Sequence, residues 1–447
     1  MEKLRKLICI LLAICTVALS LVVFVGCGLD DEEEDTPEQK IVKVWLHKSE
    51  SEDEGKVYKA IADAFNDEQL TTSTGRKIKM RLEFKNSAGA LSNAINAEVL
   101  AGALPDIVAV DAPNVAAYAN SRILTDISSY ISQESLSDYV DSVVKQGTYN
   151  GKLYALSGAD SPTGLYYNKK LLKEVGYEDD DFGTIENPWT WTDLMTAMTA
   201  LKNAGKEYKI KLNLGFGGEE GSIYLYSPLV YSAGGSFIDG NGKTNGALNS
   251  DATVNGLKQI EQFFSAGSWV YSGSNEDAFA QGQVAFEIFG TWHVATIAKN
   301  YKSFVNDYGV MPMPVYVDAQ GNKGTASAGC GSWGFGVTPN SKDKEAAAIA
   351  VEYLTNAFSS ELMYDSIGTF PTHKTSLKGS QFNSGVLKMF ADILTEIAEP
   401  RPVAVNYPQI SEAFASILQY IETSYGKGDY NLKNYISNRC VSVDAGM

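Results

Sequence analysis

Apolar and polar positions change period in a regular order along the first third of the chain. Residues 41–46 form an apolar, β-rich run, residues 54–65 recur with helical spacing, and residues 77–85 alternate strictly, with Ile78, Met80, Leu82 and Phe84 on one face. An Ala/Leu-rich helical pattern follows at 88–103, then a short buried strand at 105–111. The series β-α-β-α-β predicts a parallel sheet with right-handed crossovers. In such sheets ligands gather beyond the carboxyl ends of the strands. Those ends fall at residues 47–50, at Asn86 and Ser87, and at residues 111–113, and none is a Gly-rich phosphate cradle. Further along, Asn150-Gly151 predicts a turn before a strand at 152–156, and 163–168 predicts another strand. Thr190 with Asp193 three residues later predicts a capped helix running to Gly205. Asp239 to Lys243 reads as a tight turn rather than a calcium loop, and Ser341 as the start of a helix whose 346–354 face is apolar.

With 447 residues the chain exceeds one ordinary domain, which predicts two lobes of roughly 150 to 200 residues each. Acids outnumber bases by 54 to 37, giving a formal charge of -17, the wrong sign for gripping phosphates, so nucleic acid is excluded as the expected partner. Lys3, Arg5 and Lys6 precede an apolar run over residues 7–26, the layout of a secretory signal, although its length would also serve a permanent membrane helix. Gly26-Cys27 and the acidic stretch 30–35 come next. This segment resembles the lipobox of bacterial lipoproteins, with Phe24 standing where that motif usually carries Leu. The resemblance implies an acylated, palmitate-type anchor on Cys27, holding the protein to the outer face of the cell membrane. Cys9 and Cys15 lie in the signal, and the remaining Cys330 and Cys440 lack metal-ligand spacing. His47, His293 and His373 are scattered, so no metal and no cofactor are expected.

A set of ordered motifs carries a wider resemblance. They are 104–108 followed by 123–127, the segment 150–156 leading to 165–169, then Pro188-Trp189-Thr190-Trp191, 279–286 with Gly290-Thr291-Trp292, 308–314, and Arg401-Pro402. Together they make the chain similar to the extracellular solute-binding proteins of ABC importers, in the carbohydrate-binding group that includes the maltodextrin-binding proteins. That resemblance implies an α/β, two-lobed periplasmic-binding-protein-like fold of type II, each lobe a mostly parallel sheet flanked by helices, with a hinge between. The implied division is a signal at 1–26, an acidic flexible tether at 27–40, an N-terminal lobe from 41–158 plus 311–357, and a C-terminal lobe from 159–310 plus 358–447. Cys330 and Cys440 then fall in different lobes, where a disulfide would lock the hinge. The implied activity is capture of a mono- or oligosaccharide by hinge closure, without catalysis, by a monomer that delivers it to the ABC permease. The alternatives are an exported glycoside-processing enzyme with a carboxylate pair and a binder of a non-sugar solute such as glycerol phosphate.

Sugars present hydroxyl edges and C-H faces, so a site for them needs planar polar groups and exposed rings. Trp292 stands beside Gly290, where the resembling proteins place a ring that stacks on sugar. Tyr224 and Tyr226 occupy a second such segment, and Trp333 follows a Gly-rich turn. Asp111, Asn86, Ser87 and Glu50 come from the strand ends, Asp160 lies near the first crossing, and Arg401 between two prolines can aim a rigid fork of donors. Phe414 sits where relatives have an aromatic, but its helical spacing to Ile410 and Ile417 favours the core.

Overall fold

The computed structural model describes residues 34–206, 208–215, 219–265, 269–331 and 333–446; the signal segment and Cys27 lie outside the described residues. The chain opens with β1 (Gln39–Leu46), α1 (Asp53–Glu68), β2 (Lys77–Phe84), α2 (Ala88–Ala101) and β3 (Ile107–Asp111), the predicted alternation. β1 pairs in parallel with both β2 and β3, and as a central strand it is buried along most of its length. α1 packs Val57, Tyr58, Ile61 and Phe65 inward, an i, i+3, i+4 stripe, and carries Asp53 and Glu54 in its first turn, where the helix dipole favours them.

After α3 (Asp141–Gly147) and β4 (Ala155–Leu156), β5 (Ala159–Asp160) leaves the first lobe and β6 (Thr163–Asn168) enters the second. There the chain forms α4 (Trp191–Asn203), β7 (Lys209–Lys211), α5 (Glu219–Tyr231), β8 (Val284–Gly290), α6 (Trp292–Asn300) and β9 (Tyr308–Met311). Thr190 and Asp193 form the expected reciprocal cap of α4. β10 (Ala328–Cys330) lies at the seam between the lobes, and β11 (Trp333–Val337) returns to the first sheet. Helices α7 (Lys344–Thr355) and α8 (Ala357–Ile367), strands β12 (Phe370–Pro371) and β13 (Ala398–Pro400), and helices α9 (Tyr407–Ser424) and α10 (Leu432–Asp444) complete the chain.

The first sheet has the order β2-β1-β3-β11-β4 and the second β9-β6-β8-β7. Both are mixed rather than mostly parallel. β11 runs antiparallel to β3 and β4 because it arrives from the opposite lobe, and β6 runs antiparallel to both β8 and β9. Sheet pairing also moves the expected divisions. Tyr308–Met311 belongs to the second sheet, so the chain regains the first at Trp333 rather than at 311. α8 packs on α1, which keeps the first lobe going beyond 357. One hydrophobic cluster fills the second lobe and includes Tyr226 and Phe414. The other runs from the first sheet through the seam to Tyr166, Phe279 and Tyr308 on the second.

The end of the expected tether is already fixed to the fold. Asp35 accepts from the Ile41 amide at 2.8 Å and pairs with Lys40, and β1 starts at Gln39. Lys40 is buried and also meets Asp106 at 3.0 Å, whose carboxylate further accepts from the Lys43 amide and from Ser341 Oγ. Ser341 is therefore not the cap of α7; Asp343 is, accepting from the Ala346 amide. Replacing Asp106 by Ala removes one of the two carboxylates that hold the buried Lys40 ammonium and leaves the Lys43 amide without its acceptor. We expect Asp106→Ala to lower unfolding free energy by about 1–3 kcal/mol, read from urea denaturation.

Candidate functional site

Two rims and a floor meet between the lobes. On the first-lobe rim, His47 at the end of β1 stacks flat on Trp333, with ring centroids 3.8 Å apart and planes 5° from parallel. Trp333 stands opposite Asp111 in the β11–β3 register, so the antiparallel pairing brings the ring and the carboxylate to one sheet edge. Glu54, in the first turn of α1, reaches both His47 (3.5 Å) and Lys48 (3.1 Å). Burial nevertheless holds the His47 imidazole below its ordinary value, and it stays neutral at physiological pH.

On the second-lobe rim, Trp292 opens α6 and its ring lies directly over Gly290, where any Cβ would fall 2.1 Å from a ring atom. Phe289 meets it edge-on at 4.8 Å and Tyr224 lies nearly parallel at 5.9 Å. Tyr224 donates to the Ser161 carbonyl at 2.8 Å, and Ser161 Oγ lies 2.8 Å from Thr291 Oγ1, which ties the rim to the crossing strand. Behind Trp292, fully buried Glu287 is met by Lys211 (2.8 Å), Asn213 (2.9 Å) and His293 (3.2 Å), which fixes the first turn of α6. A cavity of about 850 Å³ opens beside this rim, lined by Trp292 and one face of α6 as far as Asn300 and, from the first lobe, by Asp53 and residues 364–368.

At the floor, Arg401 donates to Asp111 at 2.9 Å and to Glu220, which also accepts from Tyr407 and Ser411. Asp160 lies nearby but is 1% exposed. Its carboxylate accepts from Ser142 and the Ser161 amide, burial pushes its pKa up, and β5 pairs it with Phe370 of β12. It is a residue of the crossing strand, enclosed by its neighbours in this structure.

The fold thus brings Trp292, Tyr224, Trp333, Asp111 and Arg401 to the interlobe space and separates the others. Tyr226 is fully buried and donates to the Leu212 carbonyl in the second core. The segment is helical, and residues two apart on a helix point in nearly opposite directions, so only one of this pair can face the cleft. Ser87 caps α2, its hydroxyl accepting from the Ala90 amide at 3.1 Å. Asn86, at φ 65°, lines an open recess of about 610 Å³ with Ser49, Glu50, Ser51 and Phe84, and exposed Glu50 lies 3.7 Å from Lys59. Glu220, Tyr407 and Ser161 escaped the sequence reading, because no motif or spacing links them to the strand ends. Cys330 and Cys440 are both free and buried, the turn at Asp239 is held by its carboxylate, and no cluster among the described residues could hold a metal.

Residues 48–362 match the family described as bacterial extracellular solute-binding protein, well over half of the chain. The chain belongs to that family. As a member of a family of extracellular binding proteins it is a carrier of solute and not an enzyme. It is 25% identical over 329 residues to a maltodextrin-binding protein of Bacillus subtilis, covering 70% of this chain and 71% of that one. A galactooligosaccharide-binding protein of the same organism is 24% identical over 345 residues, 74% of each. In three dimensions the chain is similar to a cyclic alpha-maltosyl-1,6-maltose binding protein from Arthrobacter globiformis, with a TM-score of 0.76, 20% identity and coverage of 92% and 100%. This solute-binding protein therefore carries the two-lobed fold of that group, and among its described residues no helix is long and apolar enough to cross a membrane.

The buried imidazoles give the family member a directional pH response. Burial lowers both His47 and His373 below the ordinary 6.5, so the unfolded chain takes up protons first as pH falls. Unfolding free energy should then decrease on going from about pH 7.5 to about pH 5.5, and the drop should shrink in His47→Gln. Urea titrations at the two pH values check both.

Proposed function

We propose that this protein captures a mono- or oligosaccharide between its lobes and delivers it to the transmembrane subunits of an ABC importer. The observation that supports the reading is the gathering of rings and a carboxylate at strand ends of both sheets, Trp292 with Tyr224 after β8 and Trp333 beside Asp111 where β11 meets β3. Aromatic faces match the C-H faces of a sugar ring, and carboxylates accept paired hydroxyls. The names of the relatives agree with this chemistry, since they bind maltodextrin, galactooligosaccharide and a cyclic maltosyl-maltose. Closure is the signal to the permease, because only a closed form presents both lobes in one geometry. We place the protein outside the cytoplasm, tethered by lipid on Cys27, on the strength of the Gly26-Cys27 segment that follows the apolar run.

Calorimetric titration with a panel of malto- and galacto-oligosaccharides tests the reading. One-to-one binding without products is expected; turnover, or silence across the panel, would overturn it. Trp292→Ala should weaken the best ligand by about 1–3 kcal/mol while leaving the melting temperature close to that of the parent. For the anchor, Cys27→Ser should move the chain from the membrane fraction to the soluble fraction, and retention in the membrane would instead mark an uncleaved helix.

A further inference from the structure

The backbone of Trp333 is fixed, and only packing can fix its ring. Its main chain pairs with Asp111 in the β11–β3 register, and its carbonyl accepts from Ser157 Oγ at 2.5 Å. The next residue is Gly334, which offers no side chain to lean on. His47 supplies the contact. It lies just past the end of β1, where the chain bends, and it is only 3% exposed. Its ring covers one face of the indole at 3.8 Å and 5°, so what stays open on half-buried Trp333 is the opposite face and the ring edge. The imidazole is itself held: Nε2 lies 3.5 Å from Glu54, whose other oxygen meets Lys48 Nζ at 3.1 Å. Nδ1 has no hydrogen-bond partner among the described residues. One helix turn beyond Glu54, Tyr58 meets Phe335 edge-on at 5.5 Å, so the start of α1 braces both aromatic positions of β11.

A buried nitrogen left without a partner is costly, so this place keeps its residue for the shape of the ring more than for its hydrogen bonds. We propose that His47 is a positioning residue of the cleft: it backs the Trp333 indole and fixes the plane that the open face presents to a solute. The role in solute binding rests on the cleft reading given above, while the orientation of Trp333 by His47 stands without any solute. The physical advantage is pre-organisation. An indole free to turn about its two side-chain torsions loses that freedom when a ligand stacks on it, whereas one already clamped does not. The clamp requires a flat ring. A flexible polar chain in the same place would keep the Glu54 bond and lose the stack.

The test uses the full chain and two variants that separate ring from hydrogen bond. His47→Gln keeps a donor toward Glu54 without a ring, and His47→Phe keeps a ring without the donor. The order parameter of the Trp333 indole N–H, its NMR signal identified by loss in Trp333→Leu, reads ring mobility in the unliganded protein. It should lie near ~0.85 in the parent and in His47→Phe and fall below ~0.6 in His47→Gln. Calorimetry with maltotetraose should show affinity reduced about three- to tenfold in His47→Gln and within about twofold of the parent in His47→Phe. Equal order parameters in the parent and His47→Gln overturn the inference, and so does an affinity loss in His47→Phe as large as that in His47→Gln. Should His47→Gln fail to fold, His47→Leu, apolar but without a flat ring, takes its place under the same criteria. Silence of the parent toward maltotetraose counts against the sugar reading, and the order parameters then decide the role of His47 alone.

Discussion

One strand pairing supports the rest of the molecule. Trp333–Val337 returns from the second lobe and inserts antiparallel between Ile107–Asp111 and Ala155–Leu156, so the first sheet cannot be completed without chain that has already traversed the second. The insertion fixes two things at once. It sets the Trp333 ring opposite Asp111 and under His47, and it commits the backbone to cross the seam on either side of the cleft. A one-residue slip would turn Trp333 to the other face of the sheet and remove the stacked pair.

Local order was readable from local pattern. Alternation at 77–84, the stripe of α1 and the reciprocal Thr190–Asp193 cap are each set by residues a few positions apart, and each forms as its spacing implies. The Asn150-Gly151 turn forms with both residues at positive φ, as that dipeptide favours. The cleft was legible only in part. Trp292 and Asp111 stand at element ends, where position follows from secondary structure. The partners of Arg401 are 290 and 181 residues away in sequence, and no periodicity carries information over that distance. Tyr226 shows the reverse error: its composition suits a sugar site, but its phase on α5 points it into the core.

Electrostatics inside the cleft differ from what the overall charge suggests. The molecule is strongly acidic, yet at the floor two carboxylates share one guanidinium, Asp160 is enclosed with its pKa raised, and His47 is held neutral. Charge there is partly offset over a few ångströms, one guanidinium standing between two carboxylates. In the proposed reading, ring surface and carboxylate oxygen are what meets a solute, a chemistry suited to neutral polar solutes more than to ions.

The strand order also dictates a sequence of events during folding. In the arrangement β2-β1-β3-β11-β4, β4 joins the sheet only through β11, so two of its five strands must wait for residues 333–337. Tyr308–Met311 closes the second sheet earlier in the chain. The half that begins first is therefore finished last, and its incomplete β3 edge stays open until nearly three quarters of the polypeptide is present. Such late, long-range pairing is intrinsically slow, and until it forms that bare edge carries unpaired backbone groups.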